Sequence, residues 1–335
     1  KLLAETAGAK VRGQVVQRRG PVRASTFLSK GKVEEIQELA GEESAGLLLI
    51  DDDLSPGQQR NLEKETGMRV VDRSALILDI FARRARTREA RLQVELAQLE
   101  YLLPRLTRMW AHLGRQVGGI GARGPGETQL EVDRRKIRER IARLKRDLEG
   151  VVRERRVQRK ARKDCFKVSL VGYTNAGKST LFNALAHAKV YVENQLFATL
   201  DPTTRVIASE GKVQLLLTDT VGFIRKLPAH LVASFRATLE EVTEADLLLH
   251  IVDATEPDPG AHIEAVNSVL EELGALHCPR LLVFNKIDAL HDEITLLGLR
   301  ARHPGAVFVS AVTREGIPEL RAVIAGRFHG DGERR

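Results

Sequence analysis

Gly172-Tyr173-Thr174-Asn175-Ala176-Gly177-Lys178-Ser179, followed by Thr180, sets two glycines, a lysine and a hydroxyl at the spacing G-x-x-x-x-G-K-[ST]. That set of residue types suits one chemistry, the holding of a string of phosphates. The glycines let the backbone wrap an anion, so that successive N–H groups and the start of a helix point at it. The Lys178 ammonium can bridge the two outer phosphates, and the Ser179 hydroxyl can ligate Mg2+. The context fits as well. Phe166–Val171 is a short apolar run that predicts a strand, and Ser179–Ala186 predicts a helix with Leu181, Phe182 and Leu185 on one face.

Polar residues end each later strand. Val213–Thr218 runs into Asp219-Thr220-Val221-Gly222, and Leu247–Val252 ends at Asp253. Leu281–Phe284 ends in Asn285-Lys286-Ile287-Asp288, and Val307–Val309 leads into Ser310-Ala311-Val312. Helices are predicted between them at 228–243, 258–274 and 316–326. The alternation predicts an α/β fold, a doubly wound sheet with its ligand residues at the carboxyl ends of the strands.

What precedes this sheet has two characters. Residues 1–82 read as a small α/β subdomain. Val11–Val16 alternates like a strand, Leu47–Ile50 is a buried strand, and Val70-Val71 is a further one. Val33, Ile36 and Leu39 are spaced for a helix, and Ser55-Pro56-Gly57 opens another with proline in its first turn. Asp51-Asp52-Asp53 reads as an exposed acidic turn rather than a cation site, because no phosphate-binding loop lies near it.

Residues 83–163 differ sharply. Leu92, Leu96, Leu99, Leu103 and Leu106, and later Leu130, Ile137, Ile141, Leu144, Leu148 and Val151, form two heptad seams. They predict an antiparallel helical hairpin, its first arm kinked at Pro104 and its second opening near Thr128. The tip, Gly114–Glu127, carries six glycines and a proline with Arg115 and Arg123 among them, and reads as a recognition loop. This segment holds 24 Lys/Arg against 10 Asp/Glu, whereas the chain's net charge is +8, so the basic excess is concentrated here and points to a polyanionic partner.

Composition excludes several classes. No apolar run approaches the ~18–20 residues of a membrane span, and the start lacks the apolar core of a signal peptide. Cys165 and Cys278 lie far apart and the nine histidines form no ligand cluster, so a reducing, cytoplasmic setting is expected.

In order and spacing the nucleotide motifs resemble those of GTPases related to Ras. On that resemblance Phe197-Ala198-Thr199-Leu200-Asp201 is the first switch. Asp219-Thr220-Val221-Gly222 supplies a carboxylate near Mg2+ and the Gly222 N–H for the γ-phosphate, and catalysis falls to Lys178, Thr199 and Gly222. Asn285-Lys286-Ile287-Asp288 reads guanine, and Ser310-Ala311-Val312 offers a backbone N–H to its O6. The Asp288 carboxylate can accept from guanine N1–H and the 2-amino group, donors that adenine lacks. Where Ras has a water-orienting glutamine, this chain has Phe223, so turnover is expected to be slow without a partner.

Gly118–Glu131 with Asp133-Arg134-Arg135 closely resembles the signature of HflX-type GTPases of the Obg-HflX superfamily. So do Lys30-Gly31-Lys32-Val33-Glu34, Asp72–Phe81 and the phosphate loop. The resemblance implies an α/β subdomain (1–82), a basic helical hairpin (83–163), a GTPase domain (164–328) and a polar tail (329–335). It also implies binding of GTP and GDP with Mg2+, held by Ser179 and Thr199. Thr199 is preferred to Thr203 or Thr204 on the Phe-Ala-Thr-Leu-Asp match alone. The partner implied is the large ribosomal subunit and its rRNA, with the hairpin tip near the peptidyl-transferase region and stalled or idle ribosomes split, especially under stress. Arg115, Arg123, Arg134 and Arg135 are the expected RNA contacts, and a monomer is expected off the ribosome. The first strand of the family's N-terminal subdomain and the extra C-terminal domain of some members have no match, as in a short member or a fragment. A different reading is an assembly or rRNA-binding factor that uses GTP as a timer and separates nothing. An RNA-modification partner is a third.

Overall fold

The computed structural model describes residues 1–17, 23–106, 125–160, 165–186, 196–210, 213–225, 236–290 and 292–332. These fall into two compact units. One comprises residues 1–83 and 91–151, the other residues 84–90 and the described residues from 152 onward.

In the first unit α1 (Leu2–Thr6) and α2 (Lys30–Glu42) precede β1 (Leu47–Ile50), α3 (Pro56–Thr66), β2 (Arg69–Asp72) and α4 (Arg73–Arg84). β1 and β2 pair in parallel, Leu47 opposite Arg69 and Ile50 opposite Asp72. Val33 and Ile36 of α2 meet Leu54, Leu62, Met68 and Val70 in the core. α3 starts where sequence chemistry demands: Ser55 and Gln58 cap each other reciprocally, Pro56 opens the first turn, and Gly67 ends the helix at φ 70°. Val11–Val16 forms no strand. Val15 packs against the core, and Gly13 lies so close to Leu39 that a Cβ there would stand 2.6 Å from its Cδ2. The alternation is spent on packing, not on pairing. The acidic triplet has protein partners: Asp51 pairs with Arg73, and Asp53 accepts from the Ser74 hydroxyl at 2.5 Å.

α5 (Arg88–Leu102) and α6 (Pro125–Lys160) supply the two seams. Arg140 is bidentate to Glu95 and Lys145 reaches Glu100 at 2.9 Å, while Leu96, Ala97 and Leu144 are buried. Pro104 does not kink the first arm. The helix stops at Leu102, as a chain about to enter proline favours. The following turn sends Arg105 onto buried Asp72, which also accepts from the Tyr101 hydroxyl and the amides of Leu54 and Ala75. Burial, reinforced by the Asp72 charge, pushes the Tyr101 phenol well above its ordinary range. The second arm starts at Pro125, three residues before Thr128. The tip between the arms, with Arg115 and Arg123, lies outside the described residues.

The second unit is a six-stranded sheet: β3 (Cys165–Gly172), β4 (Thr203–Glu210), β5 (Val213–Asp219), β6 (Leu247–Asp253), β7 (Arg280–Asn285) and β8 (Val307–Phe308), in the order β4-β5-β3-β6-β7-β8. All pairs are parallel except β4 with β5. α7 (Lys178–Ala186), α8 (Arg236–Thr243), α9 (Pro259–Glu272), α10 (Glu293–Arg302) and α11 (Ile317–Gly332) complete it. The expected doubly wound sheet is present, with an antiparallel edge strand β4 and a helix α10 that periodicity did not announce. The first half of the helix expected at 228–243 lies outside the described residues. Leu181, Phe182 and Leu185 of α7 are buried in the sheet's core. Strand order reverses beside β3, which has β5 on one side and β6 on the other, so the crevice at its carboxyl end is the topological place for a ligand.

β6 carries an oddity, buried His250, whose Nε2 has no partner among the described residues. Burial, helped by the charges of Arg280 and Lys178, lowers its pKa from 6.5 to about 4. The unfolded chain therefore takes up this proton first, and stability falls as pH drops from 6.5 to 4, by up to about 3 kcal/mol. Urea denaturation at pH 7 and pH 4 should show a loss in the wild type that exceeds the loss in His250→Leu by about that amount. Equal losses in the two proteins refute this role.

Candidate functional site

The phosphate loop is the turn from β3 into α7, and its backbone explains its glycines. Gly172 has φ 152°, and a Cβ there would lie 2.2 Å from the Ile251 carbonyl oxygen. Gly177 has φ 87°, and a Cβ would lie 2.3 Å from Asn285 Nδ2. Asn175, between them, is also left-handed at φ 64°. Lys178 is buried, its Nζ donating to the carbonyls of Gly172 (3.1 Å) and Tyr173 (2.9 Å). Burial lowers its pKa to about 8, against the opposing pull of Asp219. Gly222 packs against this corner, where a Cβ would stand 3.0 Å from Lys178 Nζ.

Three groups converge beside it. Ser179 Oγ and Thr199 Oγ1 stand 2.7 Å apart, and both donate to Asp219 Oδ2, at 2.6 and 3.0 Å. The other carboxylate oxygen, Oδ1, is buried without a partner among the described residues. Burial raises the Asp219 pKa, and the Ser179 hydrogen bond and the Lys178 charge only partly offset this. Two hydroxyls and a desolvated carboxylate with an orphaned oxygen fit a small hard cation, which takes oxygen ligands and completes its shell with phosphate and water. Mg2+ therefore fits these residues.

The first-switch stretch is held down along its length. Phe197 is fully buried, has φ 55°, and donates its N–H to the Thr174 hydroxyl at 2.9 Å. A bulky residue in the left-handed region stores backbone strain, which surrounding packing must sustain. Leu200 is buried, whereas Ala198 is only partly covered. Thr203 and Thr204 belong to β4, the Thr204 hydroxyl meeting that of Thr218 at 2.9 Å. Asp201 turns away from the phosphate loop and accepts from the backbone of Arg86 and Thr87.

At the base end, Asn285 is buried and works in two directions. Its Nδ2 donates to the Ala176 carbonyl at 3.0 Å, and its Oδ1 accepts from the Ala311 N–H at 3.0 Å. Lys286, left-handed at φ 67°, pairs with Asp253 at 2.5 Å. Ile287 is buried, while Asp288 is exposed in the short 3-10 turn Ile287–Ala289. Buried Ser310 accepts from the Thr313 N–H, and Val312 is exposed. Thr220 ties its hydroxyl to the Leu170 carbonyl, and Val221 is buried. Arg134 and Arg135 lie on α6 in the other unit, Arg135 exposed beside Glu139.

Sequence reasoning named the motifs of this site but missed some of the contacts that hold them. Asp253 was visible only as the end of a strand, yet it holds Lys286. The Tyr173 ring stacks on His262 at 4.0 Å between centroids, and its hydroxyl accepts from the Arg225 N–H. No local pattern announces either contact.

Three family models match successive stretches of the chain up to residue 286. Residues 1–82 match the GTP-binding GTPase N-terminal region, 84–162 its middle region, and 167–286 a 50S ribosome-binding GTPase. GTPase HflX of Escherichia coli K12 is 50% identical over 332 residues, covering 98% of this chain and 78% of the relative. The chain belongs to the HflX family of GTPases. GTPase HflX of Alkalihalophilus pseudofirmus is likewise 50% identical over 330 residues, covering 98% of this chain and 77% of the relative. Among solved structures, SsGBP in complex with GDP is 26% identical with a TM-score of 0.50, covering 97% of this chain and 93% of that one. As an HflX-family member the chain binds GTP and hydrolyses it.

Phe223 is the family member's departure from the glutamine logic of Ras. It is fully buried, its N–H donating to Gly172 and its carbonyl accepting from Thr174. Its phenyl group packs; it cannot orient water. Phe223→Ala is expected to cost about 3–5 kcal/mol of stability in denaturant titrations. Phe223→Leu should keep GDP affinity within about twofold, since volume-tolerant swaps cost little, and keep the basal rate. A basal rate in Phe223→Leu as low as that of Lys178→Met would show that the ring serves the chemistry.

Proposed function

We propose that this GTPase binds the large ribosomal subunit in the cytoplasm, as a monomer, and in its GTP-bound form dissociates stalled or idle ribosomes. The observation that carries the reading is the charge of the middle segment, 24 Lys/Arg against 10 Asp/Glu over residues 83–163, an excess suited to a phosphate-rich partner. The 50S ribosome-binding description of the matched family supports the same partner.

At the nucleotide centre, residues 172–180 wrap the phosphates and Lys178 neutralises the outer pair. Ser179 and Thr199, backed by Asp219, would hold Mg2+, which when bound would neutralise negative charge on the phosphates. The Gly222 N–H faces the γ-phosphate, and Asp288 reads the guanine edge. Attack of water on the γ-phosphorus breaks its bond to the β–γ bridging oxygen. These residues position and neutralise, but with Phe223 packed away none of them orients the water. Turnover is therefore slow until the ribosome completes the site.

Intact ribosomes mixed with the protein and GTP or GMPPNP, then sedimented, test the reading. Free subunits are expected, and an intact particle carrying the protein would instead support an assembly or timing factor. A double change, Arg115→Glu with Arg123→Glu, should weaken large-subunit binding at least about tenfold and abolish ribosome-stimulated hydrolysis. The salt slope of binding should shrink by about one unit per lost phosphate contact. GTP affinity and basal turnover should stay at the wild-type level. Filter binding on large subunits and single-turnover hydrolysis without them measure the two halves. Survival of ribosome binding alongside a failed basal rate overturns the RNA-contact assignment.

A further inference from the structure

We infer that Asp201 is a positioning residue that makes the placement of Thr199 and the capping of helix α5 a single event. The inference rests on the reading of Thr199 as a Mg2+ ligand and extends it to a part of the chain over a hundred residues away.

Asp201 Oδ2 accepts from the amides of Arg86 (3.0 Å) and Thr87 (3.2 Å), and Oδ1 accepts from the Thr87 hydroxyl. That hydroxyl in turn accepts from the Ala90 N–H at 3.1 Å, so Thr87 caps α5 while Asp201 orients the cap. A carboxylate facing the N–H groups at a helix start also meets the positive end of the helix dipole. Charge-assisted bonds of this kind are stronger than neutral ones.

Two residues upstream, Thr199 is fixed on Asp219 and Ser179. Further upstream the Phe197 N–H is pinned to Thr174, and downstream β4 starts at Thr203 in register with Asp219. A two-residue span reaches only about 7 Å when fully extended. Thr199 and Asp201 therefore share one short tether, and a withdrawal of the Thr199 backbone beyond its slack draws Asp201 off Arg86 and Thr87. A second arrangement, with Thr199 withdrawn and α5 uncapped, would relieve the backbone strain at Phe197. Residues 84–90 belong to the nucleotide-binding unit, and α5 continues from them as the first arm of the basic segment. A nucleotide that engages Thr199 thus caps the start of that arm, and one that does not leaves it to fray.

The test compares GMPPNP with Mg2+ against GDP without it, in wild type, Asp201→Asn, Asp201→Ala, Thr87→Val, Thr87→Ser and Thr199→Ala. Asp201→Ala is expected to weaken GMPPNP binding about tenfold, within the usual range for coupled sites, and GDP binding less than twofold. Asp201→Asn, which keeps the shape, should follow it in part. Thr87→Val should share the loss and add nothing in combination with Asp201→Ala, and Thr87→Ser should restore wild-type behaviour. Hydrogen exchange at Arg86, Thr87 and Ala90 should be slower with GMPPNP than with GDP in the wild type, and equal in Asp201→Ala. A merely structural Asp201 would lower both affinities together in Asp201→Asn, and that outcome overturns the inference. Loss in Thr199→Ala without loss in Asp201→Ala overturns it too, leaving the Mg2+ assignment intact. No loss in either removes both.

Discussion

Lys178→Met is expected to lower single-turnover GTP hydrolysis about a thousandfold, the upper range for loss of one preorganised charge in such a site, with a large fall in GTP affinity. The ammonium is buried against the Gly172 and Tyr173 carbonyls, and burial has already lowered its pKa to about 8. A cation stripped of water in this way gains far more from a phosphate than an exposed one does. The same burial makes the charge a burden to the fold without nucleotide, and methionine is an apolar side chain of similar length. The thermal midpoint of the nucleotide-free variant should therefore be unchanged or higher. Turnover within tenfold of wild type would mean that another group carries the outer phosphates. A falling midpoint would mean that the two carbonyl contacts stabilise the empty loop.

Asp288→Asn is expected to reverse base preference. GTP affinity should fall by about three orders of magnitude while xanthosine triphosphate binds more tightly than to the wild type. A polar site rejects a ligand lacking its partners by factors of about 10^4, and an amide complements the altered edge of xanthine. Asp288 is exposed in a three-residue turn, so its replacement should leave the thermal midpoint unchanged. Titration of both nucleotide series decides the matter: an equal loss for guanine and xanthine nucleotides rules out the proposed pairing.

Chemistry carried by neighbours in sequence was legible, and chemistry carried by pairing was not. The phosphate loop is eight consecutive residues, and its strand and helix flank it directly, so type and spacing were enough. The choice of Thr199 over Thr203 and Thr204 rests in the sequence on a five-residue match. In the fold it depends on β4, which commits Thr204 to Thr218 and leaves the Thr199 hydroxyl at Asp219. β4 itself was hidden because an edge strand is half-exposed and shows no strong apolar pattern, Val206 lying open to solvent. The Val11–Val16 alternation misled for the converse reason: period two marks a face, and a face can pack on α2 without a partner strand. Asp201 was grouped with its motif neighbours, yet its partners lie at Arg86 and Thr87, a separation no local pattern reveals.

The Asn285 amide has a consequence for how a spent nucleotide leaves. One side chain joins the phosphate loop, through Ala176, to the Ser310-Ala311-Val312 segment proposed to meet the base, through Ala311. The floor under both ends of the nucleotide is thus one piece, and Gly177 is pressed so closely onto that amide that no side chain fits between them. A guest on such a floor cannot be peeled off one end at a time by flexing beneath it. On the proposed binding mode, release is therefore expected to depend on the segments around Thr199 and Gly222 rather than on this floor.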